Sequence, residues 1–227
     1  MSITPDGKTI YLPSLEGPHW TVVNASNGDV IAAIVVNSGS HNTIAGLDGK
    51  EAYLAGLKSP ILNVADTRTQ QVVKKIGPFS NVVRPFTVNG AQTLCFVNVN
   101  DLLGFEVGDL KTGKMLYRVE VPGAIVGPTK RHGCPSHGIA LTPDEKELWL
   151  TDAANERLHI FDASLNGICV SSSCTIQDVF NLLSLRVCPF LVQRSTICKD
   201  SVEHAEQAEH HNRLLIEYIE LVADGVN

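Results

Sequence analysis

The most chemically dense stretch of this 227-residue chain is Lys130-Arg-His-Gly-Cys-Pro-Ser-His137. His132, Cys134 and His137 are spaced as His-x-Cys-x-x-His. A metal needs deprotonated ligands that converge on one point, and Pro135 supplies the turn that such close ligands require. The spacing matches no closed zinc pattern. The stretch therefore reads as a basic loop in which Cys134 is an unreactive thiol and Arg131 and His132 are candidate anion contacts.

Three further positions share an offset from a polar turn. His41 lies eight residues before Gly49, His137 eight before Glu145, and Arg84 six before Gly90, in a unit whose turn reads two residues shorter. Two imidazoles and a guanidinium at one place can hold an anion. With neutral imidazoles, His41 and His137 can instead contribute to a metal. The competing reading has all three filling space and bonding to backbone or water. Other chemistry finds less support. Ser136 and His137 are neighbours, and adjacency does not give triad geometry. There is no Gly-x-Ser-x-Gly elbow. Asp48 and Asp144 read as turn residues, no carboxylate pair for glycosidic work can be placed, and no Gly-rich phosphate loop follows a strand and opens a helix.

The elements that must position these residues recur. Thr142-Pro-Asp-Glu-Lys-Glu-Leu-Trp-Leu-Thr151 reads as a turn and a strand, followed by a second turn and the strand Leu158–Phe161. Earlier copies are Thr4-Pro-Asp-Gly-Lys-Thr-Ile-Tyr-Leu12, Leu47-Asp-Gly-Lys-Glu-Ala-Tyr-Leu54 and Val88-Asn-Gly-Ala-Gln-Thr-Leu-Cys-Phe96. Taking Gly7, Gly49, Gly90 and Glu145 as equivalent, the spacings are 42, 41 and 55 residues, the last holding an insertion near 123–135. A period of ~40–45 residues is the four-stranded blade of a propeller. Pro-Asp-Gly sets the turn, and the apolar strand after it is buried between neighbouring blades. Asn24–Gly28 and Asp109–Gly113 fit hairpin turns. Val30–Ile34, Val72–Ile76, Met115–Val119 and Ile168–Val170 read as outermost strands. Blades are expected near 1–37, 38–80, 81–123 and 133–170. This places His41, Arg84 and His137 at the mouth of a central channel, where ligands of such folds bind.

These units resemble the YVTN-repeat β-propeller family, relatives of the WD-repeat propellers. The matching residues are the Pro-Asp-Gly-Lys turn, the strand of Tyr11, Tyr53 and Trp149, and Asp66, Asp109 and Asp162 before the second turn. The resemblance covers residues 1–164 and implies an all-β, partial propeller of about four blades. Its members are usually exported, and lactonase-like propellers are among them. The motifs specify architecture more than activity. The first functional reading is a non-catalytic binding or scaffold module that presents its channel mouth to a small anionic ligand or a protein. The alternatives are a lactonase-type or metal-assisted hydrolase using the channel residues, and a truncated fragment without function. No cofactor is assigned.

Composition sets outer bounds. A formal net charge of −6 with no Lys/Arg cluster argues against nucleic acid. No apolar run reaches the ~18 residues of a membrane span. No signal peptide precedes the first turn, and localisation stays open. Met1-Ser-Ile3 leaves no room for an inner strand in the first blade, so open blade edges invite self-association. The pattern fails after Ser164. Residues 165–227 hold Cys169, Cys174, Cys188 and Cys198, whose disulfide state is open, and end in an expected helix at about 201–223.

Overall fold

The computed structural model describes residues 1–123 and 133–163 in full and 170–175 as backbone. All lie in a compact unit spanning Met1–Asp178. Cys169, Cys188, Cys198 and the expected 201–223 helix fall outside the described residues, as do the side chain of Cys174 and the anion contacts Arg131 and His132. Among the described residues there is no helix. Sixteen strands form four antiparallel sheets, each running in chain order. The first holds β1 (Ser2–Ile3), β2 (Thr9–Pro13), β3 (His19–Asn24) and β4 (Val30–Val35). The second holds β5 (Ser40–Ala45), β6 (Glu51–Gly56), β7 (Leu62–Asp66) and β8 (Gln71–Ile76). The third holds β9 (Val83–Val88), β10 (Leu94–Val99), β11 (Gly104–Asp109) and β12 (Met115–Glu120). The fourth holds β13 (Ile139–Leu141), β14 (Glu147–Asp152), β15 (Arg157–Asp162) and β16 (Val170–Thr175). The chain is an all-β partial propeller of four blades.

The sheets stack through three apolar seams. Tyr11, Trp20, Val22 and Ile34 of the first meet Ala52, Leu54 and Ala65 of the second. Tyr53, Leu62, Val64 and Ile76 of the second meet Cys95, Val97 and Val99 of the third. Phe96, Phe105 and Val107 of the third meet Leu148, Leu150 and Phe161 of the fourth. Large residues on one face oppose small ones in the first seam. In the second, a Cβ on Gly108 would lie 2.7 Å from Cys95 Sγ and 2.9 Å from Ile76 Cγ2, so only glycine fits there. In the third seam Phe105 and Phe161 pack edge to face, with ring centroids 5.0 Å apart. Polar ties cross the seams too. The Trp20 indole N–H donates to Thr43 Oγ1 at 2.7 Å and the Tyr11 hydroxyl to Gln70 Oε1 at 3.1 Å.

Three details differ from the sequence reading. The first blade does have an inner strand, because Ser2 and Ile3 pair with Tyr11 and Ile10; two residues suffice to start the ladder. The outer strand of the fourth blade extends beyond Val170, to Thr175, while Ile168 and Cys169 lie outside the described residues. The third turn is in a different register. The left-handed residue is Gln92 at φ 53°, matching Gly7 at 70°, Gly49 at 71° and Glu145 at 57°. The amides of these four donate to the carbonyls of Asn89, Thr4, Gly46 and Thr142 respectively. Asn89 sets this register. Its Oδ1 accepts the Leu94 N–H, as Thr4 Oγ1 accepts that of Thr9 and Thr142 Oγ1 that of Glu147. Gly90 is therefore not the equivalent of Gly7, and the third turn is not shorter. Arg84 lies eight residues before Gln92, the same offset as His41 and His137.

The hairpin turns between the third and fourth strands of the second and third blades are capped by aspartates. Asp66 Oδ1 accepts the N–H groups of Arg68 and Thr69, and Asp109 Oδ1 those of Lys111 and Thr112. The Thr69 and Thr112 amides are the leading causes that hold these carboxyls below their ordinary 3.8. A depressed folded-state value means this stabilisation is complete above the unfolded value and lost as pH falls through the folded one. Thermal melts should therefore lose stability as pH drops below 3.8. The Asp66→Asn, Asp109→Asn double variant should show a shallower loss; an unchanged slope would refute the assignment. Separately, Phe105→Ala should destabilise by about 3–5 kcal/mol in urea unfolding, since it opens the third seam.

Candidate functional site

The innermost strands sit side by side in chain order, β5 against β1 and β9, and β13 against β9. Their starting ends carry the residues singled out above. Thr43, Phe86 and Ile139 pair with Leu54, Val97 and Leu150, and the candidate residue lies two positions before each. His41, Arg84 and His137 thus share one offset from these paired residues, His41 and Arg84 within β5 and β9 and His137 two residues ahead of β13.

At two of these positions the ladder is irregular. Ser40 pairs with Gly56 and Asn42 with Ala55, which leaves His41 as an extra residue. Val83 pairs with Val99 and Phe86 with Val97, so Arg84 and Pro85 straddle Asn98. Bulges of this kind redirect side chains at strand ends. His41 is half-buried, its Nδ1 2.9 Å from Asn42 Oδ1. Arg84 is only 6% exposed, and its Nε donates to Asn100 Oδ1 at 2.5 Å. His137 is exposed, and Gly138 after it donates its N–H to Thr151 Oγ1 at 2.7 Å.

Cys134 and Ser136 are buried because their segment seats on the turn after β10. The Cys134 thiol lies 2.9 Å from the Ser136 carbonyl and 3.6 Å from that of Val99. Ser136 Oγ accepts the Gly104 N–H at 3.0 Å. Burial pushes the Cys134 thiol up to about 12, with the Arg84 guanidinium opposing it. A thiol this far from ionisation is a poor nucleophile and a poor metal ligand at neutral pH. Cys134 faces inward while His137 is exposed.

Several buried polar groups escaped the sequence reading because they alternate with apolar residues and looked like ordinary strand. Asp152 and His159 are both buried, with Asp152 Oδ2 2.9 Å from His159 Nε2. Asp152 Oδ1 also accepts the Asn155 N–H at 3.0 Å. Glu106 has no exposed surface; its Oε2 accepts the Ser80 N–H at 2.8 Å. Asn98 has no exposed surface either, and neither of its amide atoms has a hydrogen-bond partner among the described residues. The Nδ2 of Asn42 is buried and unpartnered in the same way. Such groups are rare in native folds and call for a cause.

A cleft of about 340 Å³ lies at the other end of the inner strands, between Thr4, Pro5, Asp6, Leu47 and Asp48. Its carboxylates are already engaged: Asp6 Oδ1 accepts the Thr4 hydroxyl at 2.6 Å and Asp48 Oδ1 the Lys50 N–H at 2.9 Å. It reads as a crevice between two turns.

No family model matches the chain, and no curated protein matches it. Among solved structures it is similar to Kuenenia stuttgartiensis hydrazine synthase, at 17% identity and a TM-score of 0.59, over 74% of this chain and 47% of that one. The chain thus spans about half of that structure's length. A likeness at this identity bears on the fold alone.

Two outcomes follow from this geometry. Peptide mapping after iodoacetamide treatment of the native protein at pH 8 should find Cys95 and Cys134 unlabelled, since burial lifts both thiols to about 12; labelling of either without unfolding would contradict their inert setting. Asp152→Ala should destabilise by about 2–3 kcal/mol in urea unfolding, because it strands the buried His159 imidazole and the Asn155 amide.

Proposed function

We propose that this chain is a binding module of the YVTN-repeat propeller type, which holds a small anion at the starting ends of its inner strands. The observation that supports the reading is the common offset of His41, Arg84 and His137 at the starts of inner strands that pack side by side. Arg84 supplies a permanent charge from a largely dry setting, where attraction to an anion is stronger than in water. His41 and His137 flank it from the neighbouring blades and add ring N–H donors. The bulges at His41 and Arg84 free these residues from regular pairing, as expected of a strand end shaped for contact rather than for the ladder. Arg131 and His132, a few residues ahead of His137 in sequence and outside the described residues, are proposed as further contacts.

Calorimetric titration with inorganic phosphate and with acetate tests this. Saturable binding is expected for the wild type. Arg84→Ala should weaken it roughly 10- to 100-fold, the value of a lost charge-assisted hydrogen bond, and Arg84→Lys less. His41→Ala should weaken it by a smaller factor. Melting curves of each variant separate loss of binding from loss of fold. A folded wild type that binds neither anion would end the proposal.

A further inference from the structure

Asn98 is the most unusual side chain near the proposed site. It is wholly buried, and both ends of its amide lack partners among the described residues. The reason is visible in the register. The bulge sets Arg84 and Pro85 together against Asn98, whereas in the next blade Gly138 meets Thr151. Thr151 is satisfied there, because Gly138 donates its N–H to the threonine hydroxyl. Pro85, at the place equivalent to Gly138 in sequence, has no N–H to give. The chain thus leaves a donor-and-acceptor group unanswered at this point among the described residues. Phe96, two residues earlier on the same face, packs in the seam with the fourth blade. Asn98 faces the same seam. Arg84 faces the same stretch of β10 across the bulge and donates to Asn100, two residues beyond Asn98.

We propose that Asn98 is a specificity-determining residue of the anion site, which selects a small anion bearing a hydroxyl beside its charged group. The inference rests on the anion-binding reading above. An anionic oxygen can use only donors, and Arg84 provides them. The amide Oδ1 of Asn98 requires a donor and its NH₂ an acceptor. A hydroxyl offers both at one atom; a carbonyl would leave Oδ1 unanswered. Keeping an unsatisfied amide in a dry seam disfavours the empty state, so the group is expected to show its value when ligand is bound.

The test compares glycolate with acetate, which differ by this hydroxyl, in NMR titrations of the wild type, Asn98→Leu and Asn98→Thr. The wild type should bind glycolate at least about fivefold more tightly than acetate, the effect of one buried hydrogen bond. In both variants the ratio should fall toward one while acetate binding persists. Asn98→Leu should melt at the same or a higher temperature, since it removes an unanswered polar group. Equal selectivity in wild type and variants would overturn the inference and leave the anion site standing. So would a lower melting temperature for Asn98→Leu, which would mean that a buried water already satisfies the amide. Wild-type protein that binds neither acid would overturn both readings.

Discussion

No blade of this chain can bury itself. A four-stranded antiparallel sheet has two faces, and here the second strands of the middle blades, β6 and β10, are buried along nearly their whole length. Each face is completed only by the next sheet, so the seams carry the fold. The first blade shows the rule from the other side. Ile3, Ile31 and Val35 lie on its outward face and are 51%, 54% and 62% exposed, whereas Tyr11, Trp20 and Ile34 on the face toward the second blade are almost wholly buried. The same sheet is core on one side and surface on the other because, among the described residues, a neighbour is present on only one.

This constraint decides where polar residues can go. Along the seams several are admitted with built-in answers. Trp20 finds Thr43, and Asp152 holds His159. Glu106 is capped by the Ser80 amide, while Arg118 Nη1 lies 3.7 Å from its other oxygen. At the starting ends of the inner strands the regular ladder gives way, and the bulges turn His41 and Arg84 out of register. The repeat brings residues at that offset to equivalent places near the starts of successive inner strands.

The architecture was legible because it is written by turns and periodicity. Thr4-Pro-Asp-Gly7 and Thr142-Pro-Asp-Glu145 mark the same bend, and the strands that follow each bend fall close to where alternation places them. Reliance on glycine misled at one point. In Asn89-Gly-Ala-Gln92 the left-handed residue is Gln92, because the Asn89 side chain, bonded to the Thr93 and Leu94 amides, fixes the register and Gly90 is not needed for it. The two-residue inner strand Ser2–Ile3 was missed because its pattern is too short to show a period. His41, Arg84 and His137 could be aligned from spacing alone. Their differing burial could not, since it depends on how the 134–136 segment folds back over the third blade.

Asn98 lay beyond sequence reasoning for a related reason. In Leu94-Cys-Phe-Val-Asn-Val99 it reads as a polar residue at the end of a strand, where exposure is ordinary. Only pairing reveals that a bulge of Arg84 and Pro85 lies opposite, and only packing that the side chain is wholly buried. The contrast with Thr151 isolates what is special. Asn98 and Thr151 hold equivalent places on the second strands of their blades, although only the third blade is bulged opposite. One blade answers its polar side chain with a backbone N–H, while the other sets a proline there. A repeat makes such a comparison possible within a single chain: the satisfied copy shows what the unsatisfied one lacks. A departure confined to one blade, beside a buried arginine, is better explained by what that blade holds than by the demands of the fold, which the neighbouring blade meets without it.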